Sequence, residues 1–135
     1  MKIEIIDKSE MPKAAGTTVG YWMFSRPRNK GRLTIFVLKT SDWRFTLAVL
    51  GHEIIEAFYC WFRGITTEEC DKFDIMIEAE YDSGKKPASE EGGFDKRSPY
   101  RWGHILGAGW EYIAIYGTFA SWKKYINEMN KLMGI

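Results

Sequence analysis

The segment from Trp43 to Arg63 constrains the fold more than any other part of this sequence, because it is apolar on nearly every side of a predicted helix. Ser41 and Asp42 precede it as good N-cap residues, and Gly64 follows it as a typical residue after a helix C-terminus. A helix that is apolar all round is normally buried. We therefore expect this helix to lie at the centre of the protein.

The N-terminal part of the chain predicts a small sheet within an α+β fold. Residues 2–7 alternate between polar and apolar, and residues 20–25 and 33–39 are rich in β-branched and aromatic side chains. The polar segment between the last two runs indicates a hairpin with a longer loop. We expect one domain over residues 1–135, with a small N-terminal antiparallel sheet packed on a helical core.

Three further helices are predicted after the central one. Thr66 and Glu69 have the spacing of a capping box, which predicts a second helix from Thr66 or the next residue. Ser98 followed by Pro99 predicts the start of a third helix, with serine as the N-cap and proline in the first turn. The remaining predictions are a long polar loop and a final helix, over residues 81–97 and 119–133, respectively.

The charge balance and the cysteine content narrow the partners and the compartment. The formal net charge is +1, so nucleic acid is not an expected partner. Cys60 and Cys70 cannot form the framework of a small secreted scaffold, and we expect both to be reduced. The N-terminus lacks the apolar core of a signal peptide, and no uncharged run approaches the length of a membrane span. We expect a cytoplasmic protein with no membrane partner, while the oligomeric state stays open.

A His-Glu-x-x-Glu motif lies within the central helix. His52 and Glu56 are four residues apart, which places both side chains on one face, where they can share a metal ion. Glu53 occupies the position of the general base in the H-E-x-x-H motif of zinc metalloproteases. Glu56 replaces the second histidine of that motif and adds negative charge, which weakens the Lewis acidity of a bound metal. This departure counts against protease-type catalysis more than against metal binding.

Further ligands for a divalent metal come from the second and third helices. His104 is the best candidate for a third ligand, because it is the only other histidine. Glu111 lies two turns later on the same predicted face, either as a ligand or as a group that orients one of the histidines. Asp74 is the preferred aspartate, since it interrupts an apolar run. Tyr100, one turn before His104, has the position of a hydrogen-bond donor to an oxyanion.

These motifs resemble those of a group of small phage and prophage proteins. The similar stretches are GHEIIEAFYCWFRGI, DKFD and SPYRWGH with a glutamate seven residues after the histidine, and the resemblance covers residues 42–125. It implies a minimal zincin-type metal protein located in the cytoplasm of a bacterial host, without indicating a substrate. It also implies that the following residues form one site: His52, Glu53, Glu56, Asp74, Tyr100, His104 and Glu111.

Two functions remain open. The first is a zinc metallohydrolase acting on a peptide or protein, with Glu53 as base, Tyr100 as oxyanion donor and the strand at residues 33–39 docking an extended substrate. The second is a non-catalytic phage protein with a structural metal, which acts as an interaction module. A carboxylate-bridged dimetal centre ranks third, because the chain has no E-x-x-H motif. The second function predicts a closed site with four protein ligands: His52, Glu56, His104, and Asp74 or Glu111.

An ion-pair network is the competing explanation for these polar groups. Two carboxylates and an imidazole inside an apolar helix need partners, since an unpaired buried charge is costly. Arg44, Arg63 and Arg101 are the candidate cations. We prefer zinc, or another divalent metal, over these arginines as the partner of the buried carboxylates and imidazole.

Overall fold

The computed structural model describes residues 1–87 and 91–135, and its N-terminal part is a three-stranded sheet. The strands are β1 (Lys2–Ile6), β2 (Gly20–Arg26) and β3 (Lys30–Leu38), in the order β1-β3-β2. Strands β2 and β3 form the predicted antiparallel hairpin, but β1 pairs with the other edge of β3 in parallel. The α+β class is therefore confirmed, and the sheet is mixed rather than purely antiparallel.

Four helices make up the rest of the described chain. The first follows β3 directly and packs against both β2 and β3 on one side and against the third helix on the other. It is therefore the central helix that its apolar sequence predicted. The helices are α1 (Trp43–Arg63), α2 (Thr67–Asp82), α3 (Arg101–Gly117) and α4 (Trp122–Met133).

The ends of α1 and α2 lie where the capping residues predicted them. The Asp42 side chain accepts a hydrogen bond from the backbone N–H of Arg44, and Gly64 ends α1 in the left-handed conformation with φ of 69°. At α2, Thr66 and Glu69 form both hydrogen bonds of a capping box. Local polar chemistry therefore fixes these boundaries before any tertiary contact is considered.

The starts of α3 and α4 differ from the prediction. Helix α3 begins at Arg101, because Ser98 forms a turn in which its carbonyl accepts from the N–H of Arg101, 3.4 Å away. Helix α4 begins at Trp122, after Ser121, whose side chain caps it. Phe119 has φ of 58°, which no residue within a right-handed helix adopts, so the predicted start at residue 119 is wrong.

The hairpin turn is tighter than predicted and joins the sheet to α2. Arg28 and Asn29 both have positive φ, which lets β3 begin at Lys30, three residues earlier than expected. The buried Asn29 side chain donates to the carbonyl of Ile65 at 2.6 Å and accepts from the backbone N–H of Thr67 at 3.1 Å. The turn thereby supplies a hydrogen-bond partner to the first turn of α2, and it fixes β2 relative to that helix.

Glycines let α1 and α3 approach closely. A methyl group at Gly51 would lie 1.8 Å from the indole nitrogen of Trp110, and one at Gly103 would lie 2.8 Å from the ring of Tyr59. Because Gly51 faces the later part of α3 and Tyr59 the earlier part, the two helices run antiparallel. Cys60 of α1 lies near the end of this interface, buried and with a free thiol as predicted.

Helix α1 is also long and apolar enough to cross a membrane by length and composition alone. The core helix of a soluble protein meets the same criterion. The residues that α1 buries against the sheet and α3 include Ala48, Val49 and Ala57, each of which is at most 2% exposed. Its apolar character is therefore accounted for in part by packing within this domain.

Candidate metal centre

Three ligand atoms converge between α1 and α3. The Nε2 atom of His52 lies 3.2 Å from the Oε2 atom of Glu56 and 3.1 Å from the Nδ1 atom of His104. The third side of this triangle, from His104 Nδ1 to Glu56 Oε2, is also 3.2 Å. Tetrahedral bonds of about 2.0–2.2 Å place zinc ligands roughly 3.3–3.5 Å apart. The three side chains can therefore hold a metal ion with little adjustment.

Helix spacing and glycine contacts position the three ligands. His52 and Glu56 are one turn apart on the buried face of α1, at 7% and 8% exposure. A methyl group at Gly107 of α3 would lie 2.7 Å from the imidazole of His52, and one at Gly93 would lie 2.5 Å from the imidazole of His104. Each imidazole thus lies against a backbone that carries no side chain, which leaves room for both rings in one narrow interface.

The outward nitrogen of each histidine faces a carboxylate. His52 Nδ1 lies 3.2 Å from Oε2 of Glu111, and His104 Nε2 lies 2.8 Å from Oε2 of Glu91. An ionised carboxylate only accepts hydrogen bonds, so a proton on each of these outward nitrogens has an acceptor. The tautomer with its protons there leaves both inward nitrogens bare, as metal ligands need.

When both imidazoles are neutral in this tautomer, the centre brings three acceptors together with no donor among them. Burial alone would lower the pKa of His52, but hydrogen bonds to Glu111 and Glu56 raise this pKa well above 6.5. Burial also opposes the charge of His104, yet hydrogen bonds to Glu56 and Glu91 raise its pKa to about 9. The same pairs lower the pKa of Glu56 to about 2, against the effect of its burial. Every shift favours a positive charge at the centre, which a divalent metal or a bound proton supplies.

Hydrogen bonds from two aromatic side chains hold the carboxylates of Glu56 and Glu111 in place. The indole N–H of Trp22, on β2, donates to Oε1 of Glu56 at 3.1 Å, which leaves Oε2 to face the histidines. The hydroxyl of Tyr125, on α4, donates a short hydrogen bond to Oε1 of Glu111. The sheet and α4 therefore both help to orient the centre, although neither supplies a ligand.

Glu53 lies beside the three ligands and makes no hydrogen bond to any residue that the structure describes. It is 9% exposed and lines the same cavity as His52 and Glu56. Its side chain lies against Gly20 at the start of β2, where a methyl group would be 2.6 Å away. Burial raises the pKa of Glu53 to about 8, and the neighbouring Glu56 carboxylate adds to the effect. A buried, unpaired carboxyl group of this kind is a suitable proton acceptor.

The cavity has a volume of about 100 Å³ and lies between α1, β2, α2 and the start of α3. Asp74 and Tyr100, both predicted site residues, line it. Tyr100 donates a short hydrogen bond to Asp74, and burial raises the pKa of Asp74 to about 7. Asp74 stands outside the group of three ligands. Glu111 contacts that group only through the outward nitrogen of His52. Roles for Asp74 and Glu111 as ligands, and for Tyr100 as an oxyanion donor, stay predictions.

The predicted ion pairs with arginine are not formed in the described part of the chain. Arg44 binds the carboxylate of Asp42 at 2.6 Å. The guanidinium of Arg101 donates to the carbonyl of Phe94 at 3.1 Å, and Arg63 is exposed. The buried carboxylates of the centre therefore have no guanidinium partner, and the arginine network is wrong.

The strand predicted to dock a substrate is also wrong. Both edges of β3, which contains residues 33–38, are paired with neighbouring strands, so no extended peptide can add to it. The strand next to the cavity is β2, which contributes Gly20, Tyr21 and Trp22 to the lining. Strand β2 is at the edge of the sheet.

Sequence reasoning missed the groups that orient the ligands. Glu91 follows a polar loop with no periodic pattern, and nothing in its neighbourhood distinguishes it from other acidic residues. Tyr125 looks like a core aromatic on an amphipathic helix, and Trp22 like a core residue of a strand. Their hydrogen bonds depend on the packing of elements that are distant in sequence. Only the tendency of buried indole and phenol groups to seek a partner could have pointed to them.

Comparisons with models of protein families, with curated proteins and with solved structures gave no match. The similarity to phage zincin-type proteins thus stays an expectation from sequence motifs. Inferences about function depend on the arrangement of the side chains at the centre.

Proposed function

We propose that this protein is a zinc-dependent hydrolase that cleaves a peptide or a similar amide. The observation that carries the proposal is the convergence of His52 Nε2, His104 Nδ1 and Glu56 Oε2, which lie 3.1–3.2 Å from one another. Each imidazole also has a carboxylate on its outward nitrogen, as metal-bound histidines in zinc enzymes do. Nitrogen and carboxylate ligands at tetrahedral spacing suit zinc better than calcium or magnesium.

The number of ligands favours a catalytic centre over a structural one. Structural zinc sites are closed by four protein ligands, whereas catalytic sites have three and leave a position for water or substrate. The two residues predicted as a fourth ligand lie elsewhere, since Asp74 stands outside the group of converging ligand atoms and Glu111 binds the far side of His52. Three protein ligands beside an open cavity support hydrolysis.

Glu53 is the proposed base. A bound zinc ion would supply Lewis acidity toward a water molecule and the substrate carbonyl. Glu53, with its raised pKa, takes a proton from the water as the water oxygen bonds to the carbonyl carbon. The C–N bond then breaks, and the proton passes from Glu53 to the leaving amine. The products are a carboxylic acid and an amine, and Glu53 is returned to its starting state.

Trp22 moderates the negative charge that Glu56 brings in place of a histidine. Its indole N–H donates to Oε1 of Glu56 and so draws charge away from Oε2, the atom that faces the centre. A carboxylate ligand that accepts such a hydrogen bond reduces the Lewis acidity of a metal less than a carboxylate that accepts none. The H-E-x-x-E pattern is compatible with hydrolysis for this reason.

Metal content measured by mass spectrometry, on protein without a histidine tag, tests the proposal. We expect one zinc per chain in the wild type, and none in His52→Ala or His104→Ala. Asp82→Asn removes an exposed carboxylate that does not line the cavity and should keep the metal. A wild type that takes up no zinc even after incubation would leave a bound proton as the charge at the centre, and the hydrolase proposal would be abandoned.

Activity is tested on the zinc-loaded protein with a library of short peptides. Glu53→Gln should keep zinc and reduce turnover by at least a hundredfold, since general-base catalysis contributes about 10²–10⁴-fold. A zinc-containing wild type with no turnover on any peptide would favour the alternative function, an interaction module with a structural metal.

A further inference from the structure

The cavity beside the candidate metal centre has an acidic side that the hydrolytic step does not use. Asp71 and Asp74, three residues apart on α2, line it together with Tyr21 and Tyr100. Glu53 and Glu56 of α1 line the same cavity. No lysine or arginine of the described chain lines it, and its two histidines are the candidate metal ligands. On the α2 side the cavity is therefore lined by carboxyl groups with no cationic side chain beside them.

The two aspartates are held in place and still have capacity to bind a ligand. The hydroxyl of Tyr21 lies 3.0 and 2.9 Å from the two oxygens of Asp71, and Tyr100 donates to Asp74. A phenol has one proton to donate, whereas a carboxylate has about four acceptor sites. Each aspartate can therefore accept further hydrogen bonds without leaving its tyrosine.

Glu53 gives independent evidence that the cavity takes a positively charged ligand. Its carboxyl group is 9% exposed and has no hydrogen-bond partner among the described residues, although it lines the cavity. A buried carboxylate without a donor or a cation is destabilising.

Building on the hydrolase function proposed above, we infer that the substrate carries a primary ammonium group, which Asp71 and Asp74 bind. An ammonium group has three N–H donors and matches two carboxylates with free acceptor sites. The same two carboxyl groups, with no basic side chain beside them, disfavour a carboxylate or phosphate on the substrate.

The size of the cavity narrows the substrate further. A volume of about 100 Å³ has room for roughly three water molecules, at about 30 Å³ each. This space fits the terminal residue of a peptide and excludes an internal segment of a folded protein. The substrate class is therefore an amide or peptide with a free amino-terminal group next to the bond that is cleaved.

Paired hydroxamates test the inference on the zinc-loaded protein. Alanine hydroxamate carries the ammonium group, and N-acetylalanine hydroxamate lacks it while keeping the metal-binding end. By calorimetry, we expect the first to bind at least tenfold more tightly to the wild type. Asp71→Asn and Asp74→Asn should each reduce this ratio at least threefold, and Asp82→Asn, at the exposed end of α2 and outside the cavity, should preserve it. Equal affinities for the two compounds would overturn the ammonium site.

A measurement on the zinc-free protein separates this inference from the metal proposal. Alaninamide and N-acetylalaninamide are added at pH 7 while backbone amide signals are followed by NMR. We expect alaninamide alone to shift the signals of Asp71 and Asp74. If neither compound shifts them, the ammonium site is refuted, whether or not zinc binds. If alaninamide binds but zinc does not, the ammonium site stands and the hydrolase function fails.

Discussion

The Nε2 atom of His52 lies 3.1 Å from the Nδ1 atom of His104. When both rings are neutral and hold their protons on the outward nitrogens, which face Glu111 and Glu91, neither inward nitrogen has a proton to donate. Two lone pairs this close repel each other unless a cation lies between them. The centre therefore takes up a metal or a proton, and the two compete for the same place.

Zinc binding should release protons. The pKa of His104 is raised to about 9, chiefly by hydrogen bonds to Glu56 and Glu91 that outweigh its burial, so the metal-free centre holds a proton at pH 7. Zinc must displace this proton, since a metal ligand needs the bare nitrogen. The apparent affinity should rise about tenfold per pH unit between pH 6 and 8. Calorimetry in buffers of different ionisation enthalpy measures the release, and a value near zero at pH 7 would contradict the competition.

The carboxylates behind the histidines should differ in importance. Glu111 is half-buried and held by Tyr125, whereas the Glu91 side chain is 61% exposed. Glu111→Gln should weaken zinc binding by about 10–100-fold, the usual effect of losing a group behind a metal ligand. Glu91→Gln should weaken it less, because solvent screens an exposed carboxylate. Competition with a chelator of known affinity measures both, and a larger effect at Glu91 would contradict the burial argument.

Gly107 should be essential to the centre, and Gly109 should not. A methyl group at Gly107 meets the His52 ring at 2.7 Å, while one at Gly109 meets nothing within 4 Å. Gly107→Ala should destabilise the fold by about 1–3 kcal/mol and abolish zinc uptake, because the ring must move. Gly109→Ala should stabilise α3 by about 0.5–1 kcal/mol and keep zinc. Urea unfolding and metal analysis check both variants. Zinc uptake by Gly107→Ala would show that the His52 ring can bind the metal from another position, and the prediction would be wrong.

Asp74 should make the metal-free protein less stable as the pH rises. Burial, with a smaller contribution from Glu56, raises the pKa of Asp74 from 3.8 to about 7, although the hydrogen bond from Tyr100 opposes this. The folded state then keeps a proton that the unfolded state has lost. The penalty is absent below about pH 4, grows between pH 4 and 7, and is complete above pH 7.

Asp74→Asn removes this penalty and keeps an acceptor for Tyr100. We expect the variant to gain on the order of 2 kcal/mol over the wild type at pH 8, a figure reduced for partial exposure, and little at pH 4. The exposed Glu68→Gln serves as the control. Urea unfolding in the presence of a chelator gives the two curves, and parallel curves for wild type and Asp74→Asn would refute the assignment.

The sequence predicted the parts of this protein that depend on local chemistry. Capping residues located both ends of α1, and helical spacing placed His52 and Glu56 on one face. His104 followed from the shortage of histidines, and its contact with Glu56 at 3.2 Å agrees with that choice. These inferences needed only the geometry of one helix and the count of one residue type.

The parts that the sequence did not predict depend on contacts between distant elements. The parallel pairing of β1 with β3 is set by how the chain crosses the sheet, which no residue pattern marks. Arg44 looked like a partner for buried glutamates, but its own N-cap residue Asp42 binds it first. Glu91 reaches His104 only because α3 and the preceding loop fold back on each other.

The glycines behind the two imidazoles bear on which ions the protein can discriminate. Gly107 and Gly93 set a wall of backbone against the rings of His52 and His104, and a backbone wall cannot rotate aside as a side chain can. The two rings can therefore move little from the positions in which the ligand atoms lie 3.1–3.2 Å apart. Calcium takes six or more oxygen ligands, whereas two of the three ligand atoms here are imidazole nitrogens that the backbone holds in place. The centre therefore discriminates between ions by offering a set of ligands that cannot rearrange to suit a different metal.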